Sequence, residues 1–104
     1  MTEGDVRARW RRLVEADLPA AAVARPDWPI RLDHCFARVL LDNSCGRPWR
    51  EAVAPPAWRN SPVALLEEAI RLGEAVLAGG ACLAALNRRS LDLRGRRGPS
   101  GRAR

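Results

Sequence analysis

The chain has 104 residues and a formal net charge of +6, a length that suits one domain and leaves no room for two. Hydrophobic residues make up 47%, which excludes wholesale disorder. With four Trp, one Phe and no Tyr, the core must come mainly from Leu, Val and Ala, which favours helices over sheets.

The first segment predicts a helix over about Glu3–Asp17, with a weak cap from Thr2 and Asp5 and with Val6, Trp10, Leu13 and Val14 at helical spacing. Pro19 is expected to end it. A connection follows over Ala20–Pro29, and a second helix is expected from about Ile30 to Asn43. At a hundred degrees per residue, Leu32, Cys35, Phe36 and Val39 share one face of this helix. Arg31, His34, Arg38 and Asp42 fall together on the opposite, solvent side. Pro48–Pro62 is a Trp- and Pro-rich connection, with a short turn expected near Trp49–Val53. Ser61 as cap and Pro62 in the first turn open a third helix. Its buried stripe is Leu66, Ala69, Ile70, Gly73, Val76 and Leu77, and Gly79 or Gly80 ends it. A fourth helix is expected over about Ala81–Leu93, with Leu83, Leu86 and Leu91 inward. The expected architecture is all-α, a bundle of about four helices over residues 1–93 followed by a flexible Arg-rich tail over residues 94–104.

Charge is distributed unevenly along this plan. Every basic residue is Arg, and residues after Asn87 hold Arg88, Arg89, Arg94, Arg96, Arg97, Arg102 and Arg104 against Asp92 alone. The preceding residues sum to zero, so a neutral body carries a basic end. Such an end neutralises phosphates without reading sequence, and Arg88, Arg89, Arg94, Arg96 and Arg97 are the candidate polyanion-binding residues. Nucleic acid or an acidic protein is the expected partner of the tail. No uncharged run is long enough to span a bilayer, Arg11-Arg12 lacks the apolar segment of an export signal, and a cytoplasmic location is expected.

Three cysteines, Cys35, Cys45 and Cys82, form no disulfide framework. Together with His34 they show none of the paired spacings of a zinc site, so neither a metal nor a cofactor is expected. Asp33-His34-Cys35 contains the residue types of a nucleophile and its base, but neighbours on a helix diverge and Cys35 is expected to point into the core. Cys82, at the start of the fourth helix, has the better setting for a reactive thiol. Between Ala81 and Leu83 it reads first as a small core residue. His34, Arg38 and Asp42, spaced at i, i+4 and i+8, make the densest polar cluster, with Asp33, Asn43, Trp49 and Arg50 near in sequence. They are the candidate site for an anion or small polar ligand, Arg38 holding a carboxylate or phosphate. The plain alternative is a solvated face with an Arg38–Asp42 ion pair.

The string Asp33-His34-Cys35-Phe36, Arg38, Leu41-Asp42-Asn43, Gly46, Trp49, then Leu86-Asn87-Arg88-Arg89-Ser90-Leu91 and Arg94-Gly95, resembles short bacterial proteins, some labelled as GCN5-related acetyltransferases. The likeness covers about Ile30–Gly95 and implies acyl-transfer chemistry on a mixed sheet with a pyrophosphate loop. No Gly in the chain has Gln or Arg three residues before it, as that loop requires, so no acetyl-CoA site is carried over. The sequence leads to a non-enzymatic accessory or interaction module with polyanion affinity through its tail. The alternative is a small enzyme or anion-binding protein centred on His34, Arg38 and Asp42.

Overall fold

Thr2 opens the first helix with a reciprocal capping box. Its hydroxyl accepts from the Asp5 amide, and the Asp5 carboxylate accepts from the Thr2 amide, both at 3.2 Å. In the computed structural model, which describes residues 2–95, helix α1 (Glu3–Arg12) does not stop before Pro19 as expected. It passes through a π-helical turn, Leu13–Asp17, into α2 (Leu18–Val23). In a regular helix the Pro19 ring would press on the carbonyl four residues back. The wider turn, in which the Leu18 N–H reaches the Leu13 carbonyl, takes that stretch out of the regular ladder and lets the chain continue.

Helix α3 (Asp33–Cys45) starts three residues later than the periodicity suggests, because Leu32 is extended and accepts the first helical hydrogen bonds. Leu32 therefore leaves the expected apolar face and is 57% exposed. The left-handed Gly46, φ 73°, ends the helix with its N–H on the Asp42 carbonyl. The connection holds a 3-10 turn, Trp49–Glu51, and a short helix α4 (Ala57–Asn60). Helix α5 (Val63–Leu77) has Pro62 as its N-cap, and Ser61 instead closes α4 with extended backbone. On the exposed side of α5, Arg71 pairs with Glu68 at 2.7 Å. Helix α6 (Leu83–Leu93) completes the bundle, and no strand occurs among the described residues.

Four principal helical segments thus form an all-α bundle, with α3 packed against both α5 and α6, and α1 against α5. Trp10, Leu13, Leu18, Phe36, Leu40, Leu41 and Leu66 are its largest fully buried apolar side chains. A close crossing lies at Gly73 of α5, where a Cβ would stand 2.6 Å from Leu13 Cδ2 and 3.1 Å from Leu40 Cδ1. Both leucines are sealed in the core and cannot swing aside. No helix among the described residues is long and apolar enough to cross a membrane. Overpacking costs about 1–3 kcal/mol, which exceeds the helix propensity of up to about 1 kcal/mol that Ala would add. Gly73→Ala is therefore expected to lower the unfolding free energy by about 1–2 kcal/mol in urea denaturation. An unchanged or raised stability would show that the crossing is slack.

Candidate functional site

Helix α3 carries His34, Arg38 and Asp42 on one stripe, and the structure divides them. Asp42 was expected on the wet side, yet its side chain is fully buried, because α6 lies over that part of α3. Its carboxylate collects donors from three places. The Trp49 amide reaches Oδ1 at 2.9 Å, the Ser90 hydroxyl reaches Oδ2 at 2.7 Å, and Arg94 grips both oxygens, Nε to Oδ2 at 2.6 Å and Nη2 to Oδ1 at 3.1 Å. Arg94, expected in the tail, is thus the C-cap of α6 and part of the fold.

Arg38 does not make the ion pair with Asp42 that its spacing suggested. It donates from Nη1 to Ser90 Oγ and from Nη2 to Asn87 Oδ1, both at 2.8 Å. Ser90 therefore accepts from Arg38 and donates to Asp42, linking the two α3 residues through α6. Asn43 extends the seam, its amide group donating to the carbonyls of Val39 and Leu86 at 2.8 and 2.9 Å. Ser90 and Asn87 were missed in the sequence because hydrophobic spacing picked out Leu86 and Leu91. The available signal was the run Leu83, Asn87, Ser90, Arg94, which follows one face of α6 at helical spacing.

His34 stands apart from this network, three-quarters exposed, with Nδ1 3.5 Å from Asp33. It forms one edge of a cleft of about 290 Å³ lined by His34, Ala37, Arg38, Trp49, Arg50 and Arg94. Three guanidiniums line this space, and among the described residues no carboxylate does. The bonds to Ser90, Asn87 and Asp42 fix the planes of Arg38 and Arg94, and each keeps N–H groups beyond those bonds. Arg50 is exposed and holds its guanidinium carbon 5.3 Å from the centre of the Trp49 ring. A planar donor array of this kind fits the oxygens of a phosphate or carboxylate.

A second cleft of about 180 Å³ shares the wall made by His34, Ala37 and Trp49. Its remaining lining includes Trp10, Trp58, Asp33 and Glu15. Arg7 of α1 secures this side by donating to the carbonyls of Trp58 and Ser61 at 2.9 and 3.0 Å, which ties α4 to α1. Of the other candidate polyanion contacts, Arg88 and Arg89 lie exposed on α6, while Arg96 and Arg97 lie outside the described residues.

The three cysteines are free and scattered, and among the described residues no group of three His, Cys, Asp or Glu side chains is placed to hold a metal ion. Cys82, expected in the core, is exposed as the N-cap of α6, since the helix begins only at Leu83. Cys45 is half-buried, and its thiol is pushed up by loss of solvent and then by the nearby Asp42 charge, with Arg47 opposing. Only the thiolate alkylates, so a raised thiol reacts more slowly at a given pH. In the folded protein, iodoacetamide is expected to label Cys82 first and Cys45 well after it, with Cys45 catching up as the pH rises. Peptide mass spectrometry reads the order, and equal rates at neutral pH would contradict it.

Comparison with models of protein families, with curated proteins and with solved structures finds no match to this chain. What the site can do follows from its own geometry.

Proposed function

We propose that this protein is a small binding module whose ligand presents a phosphate or carboxylate to the cleft between α3, the Trp49–Glu51 turn and the end of α6. The observation that carries this reading is the convergence of Arg38, Arg50 and Arg94 on one cleft whose lining, among the described residues, contains no carboxylate. Two of these guanidiniums are held by partly buried hydrogen bonds, so little side-chain entropy is lost when a ligand arrives. Asp42 is not a ligand contact in this reading. It is the buried counter-charge that keeps Arg94 at the rim.

The reading does not need an enzyme. The clefts that His34 lines hold the carboxylates of Asp33 and Glu15 but, among the described residues, no Ser, Thr or Cys nucleophile, and Cys35 next to it in sequence sits on a different side of the helix. The exposed Arg88 and Arg89 add positive charge on α6, and the sequence carries four more Arg after Gly95. A polyanion would gain from both, and its binding would weaken with salt in proportion to the phosphates contacted.

Titration with pyrophosphate, followed by Trp fluorescence and calorimetry, tests the cleft. Saturable binding is expected, with Arg50→Ala weakening it about tenfold, roughly the 1.4 kcal/mol of one charge-assisted contact. Arg50 makes no buried bond, so the unfolding midpoint should stay unchanged. Binding that is non-saturable, or indifferent to Arg50, would overturn the reading.

A further inference from the structure

The two clefts that meet at Trp49 differ sharply in character, and the contrast constrains the ligand. On one side of the shared wall stand Arg38, Arg50 and Arg94. On the other stand the indoles of Trp10 and Trp58, with Trp49 itself in the lining of both. Trp10 is sealed in the core, so the half-exposed indoles beside the anion cleft are Trp49 and Trp58. A simple anion needs only the arginine side. A ligand that uses both sides must carry a flat apolar group close to its negative charge.

Further arginines accompany the indoles. Arg11 and Arg59 hold their guanidinium carbons 4.7 and 5.2 Å from the centre of the Trp58 ring, as Arg50 does for Trp49 at 5.3 Å. Guanidiniums and half-exposed indoles thus interleave from Trp58 across Trp49 to Arg38 and Arg94. Positive charge along a groove combined with aromatic platforms is the physical requirement for holding unpaired bases and the phosphates between them. The two carboxylates that do appear, Glu15 and Asp33, line the indole side only, where a base presents N–H donors and no phosphate need sit.

We propose that the ligand is single-stranded nucleic acid, with a base stacked against Trp49 in the indole-lined cleft and its phosphate held by Arg38, Arg50 and Arg94. This rests on the anion-binding reading and names the ligand class of the same site. A duplex keeps its bases paired and stacked on one another, so it can offer the arginines its phosphates but cannot fill the indole side. The arginines beyond Gly95 add affinity by charge alone and do not select between single and double strands.

The test uses the full-length chain and a fluorescein-labelled 15-residue oligothymidylate, its hairpin duplex counterpart, thymidine monophosphate and pyrophosphate. Anisotropy is expected to show the single strand binding at least about tenfold tighter than the duplex at equal salt, with quenching of Trp fluorescence. Trp49→Leu, which keeps an apolar side chain at the wall, is expected to weaken the single strand about tenfold and leave pyrophosphate nearly unaffected. Arg50→Ala weakens both, and remains informative if the Trp49 variant does not fold. Replacing Arg96, Arg97, Arg102 and Arg104 together by Gln should lower affinity for both strands while preserving the preference and the quenching.

Equal binding of duplex and single strand without quenching would overturn the inference, as would a preference that vanishes with the four tail substitutions. Thymidine monophosphate binding as tightly as the 15-residue strand would also overturn it in favour of a free nucleotide. If pyrophosphate binds through Arg50 while the oligonucleotide gains nothing from Trp49, the anion-binding reading stands and this inference alone fails. If no anion binds, both fail together.

Discussion

A carboxylate removed completely from water must find its charge and all its lone pairs answered inside the protein, or it costs several kcal/mol. Asp42 is such a group, and the way it is answered organises one half of this molecule. Its donors come from the backbone of the Trp49 turn, from Ser90 in α6 and from Arg94 at the end of α6. One side chain of α3 therefore fixes the position of two other elements. The apolar core on the far side of α3 needs no such device, since Leu13, Leu40 and Leu66 are sealed there by packing alone. Helix α6 contributes Leu83 to the buried apolar core, and its other fully buried residue, Ser90, is polar. Its attachment depends on hydrogen bonds and one ion pair more than on apolar burial.

The same constraint shapes the cleft. Arg94 reaches the rim because Asp42 holds it, and Arg38 is kept flat by Ser90, which Asp42 also binds. The Trp49 indole stands between the two clefts because its amide is tethered to Asp42. A buried residue thereby positions three side chains that a ligand can touch. A bidentate charged bond also sets orientation, and a donor array oriented before binding loses less freedom when the ligand arrives.

Periodicity and punctuation made much of the fold legible in the sequence. Apolar spacing located α1, α3, α5 and α6, and Gly46 stopped α3 where its positive φ was needed. Pro19 misled because a π turn can absorb a proline that a regular helix rejects. Ser61-Pro62 misled by one step, since Pro62 itself took the N-cap position. The site was half legible. A helical wheel puts Arg38 and Asp42 on a polar stripe but cannot say whether another helix covers it. Burial of Asp42 is a tertiary fact, visible in advance only through polar residues on the facing stripe of α6. Arg94 was hidden by composition, because a residue beside a Gly- and Arg-rich segment reads as part of it.

Coupling between Asp42 and Arg94 can be measured directly by a double-mutant cycle. Asp42→Asn, Arg94→Gln and the double variant would be compared with the parent by urea unfolding at low salt. Breaking one partner leaves the other charge uncompensated, so each single variant should lose about 2–4 kcal/mol, somewhat below the fully buried case because Arg94 keeps 21% of its side chain in solvent. The double variant should lose much less than the sum, with a coupling of at least about 1.5 kcal/mol. Additive losses within about 0.5 kcal/mol would contradict the account and leave α6 held by its apolar contacts alone.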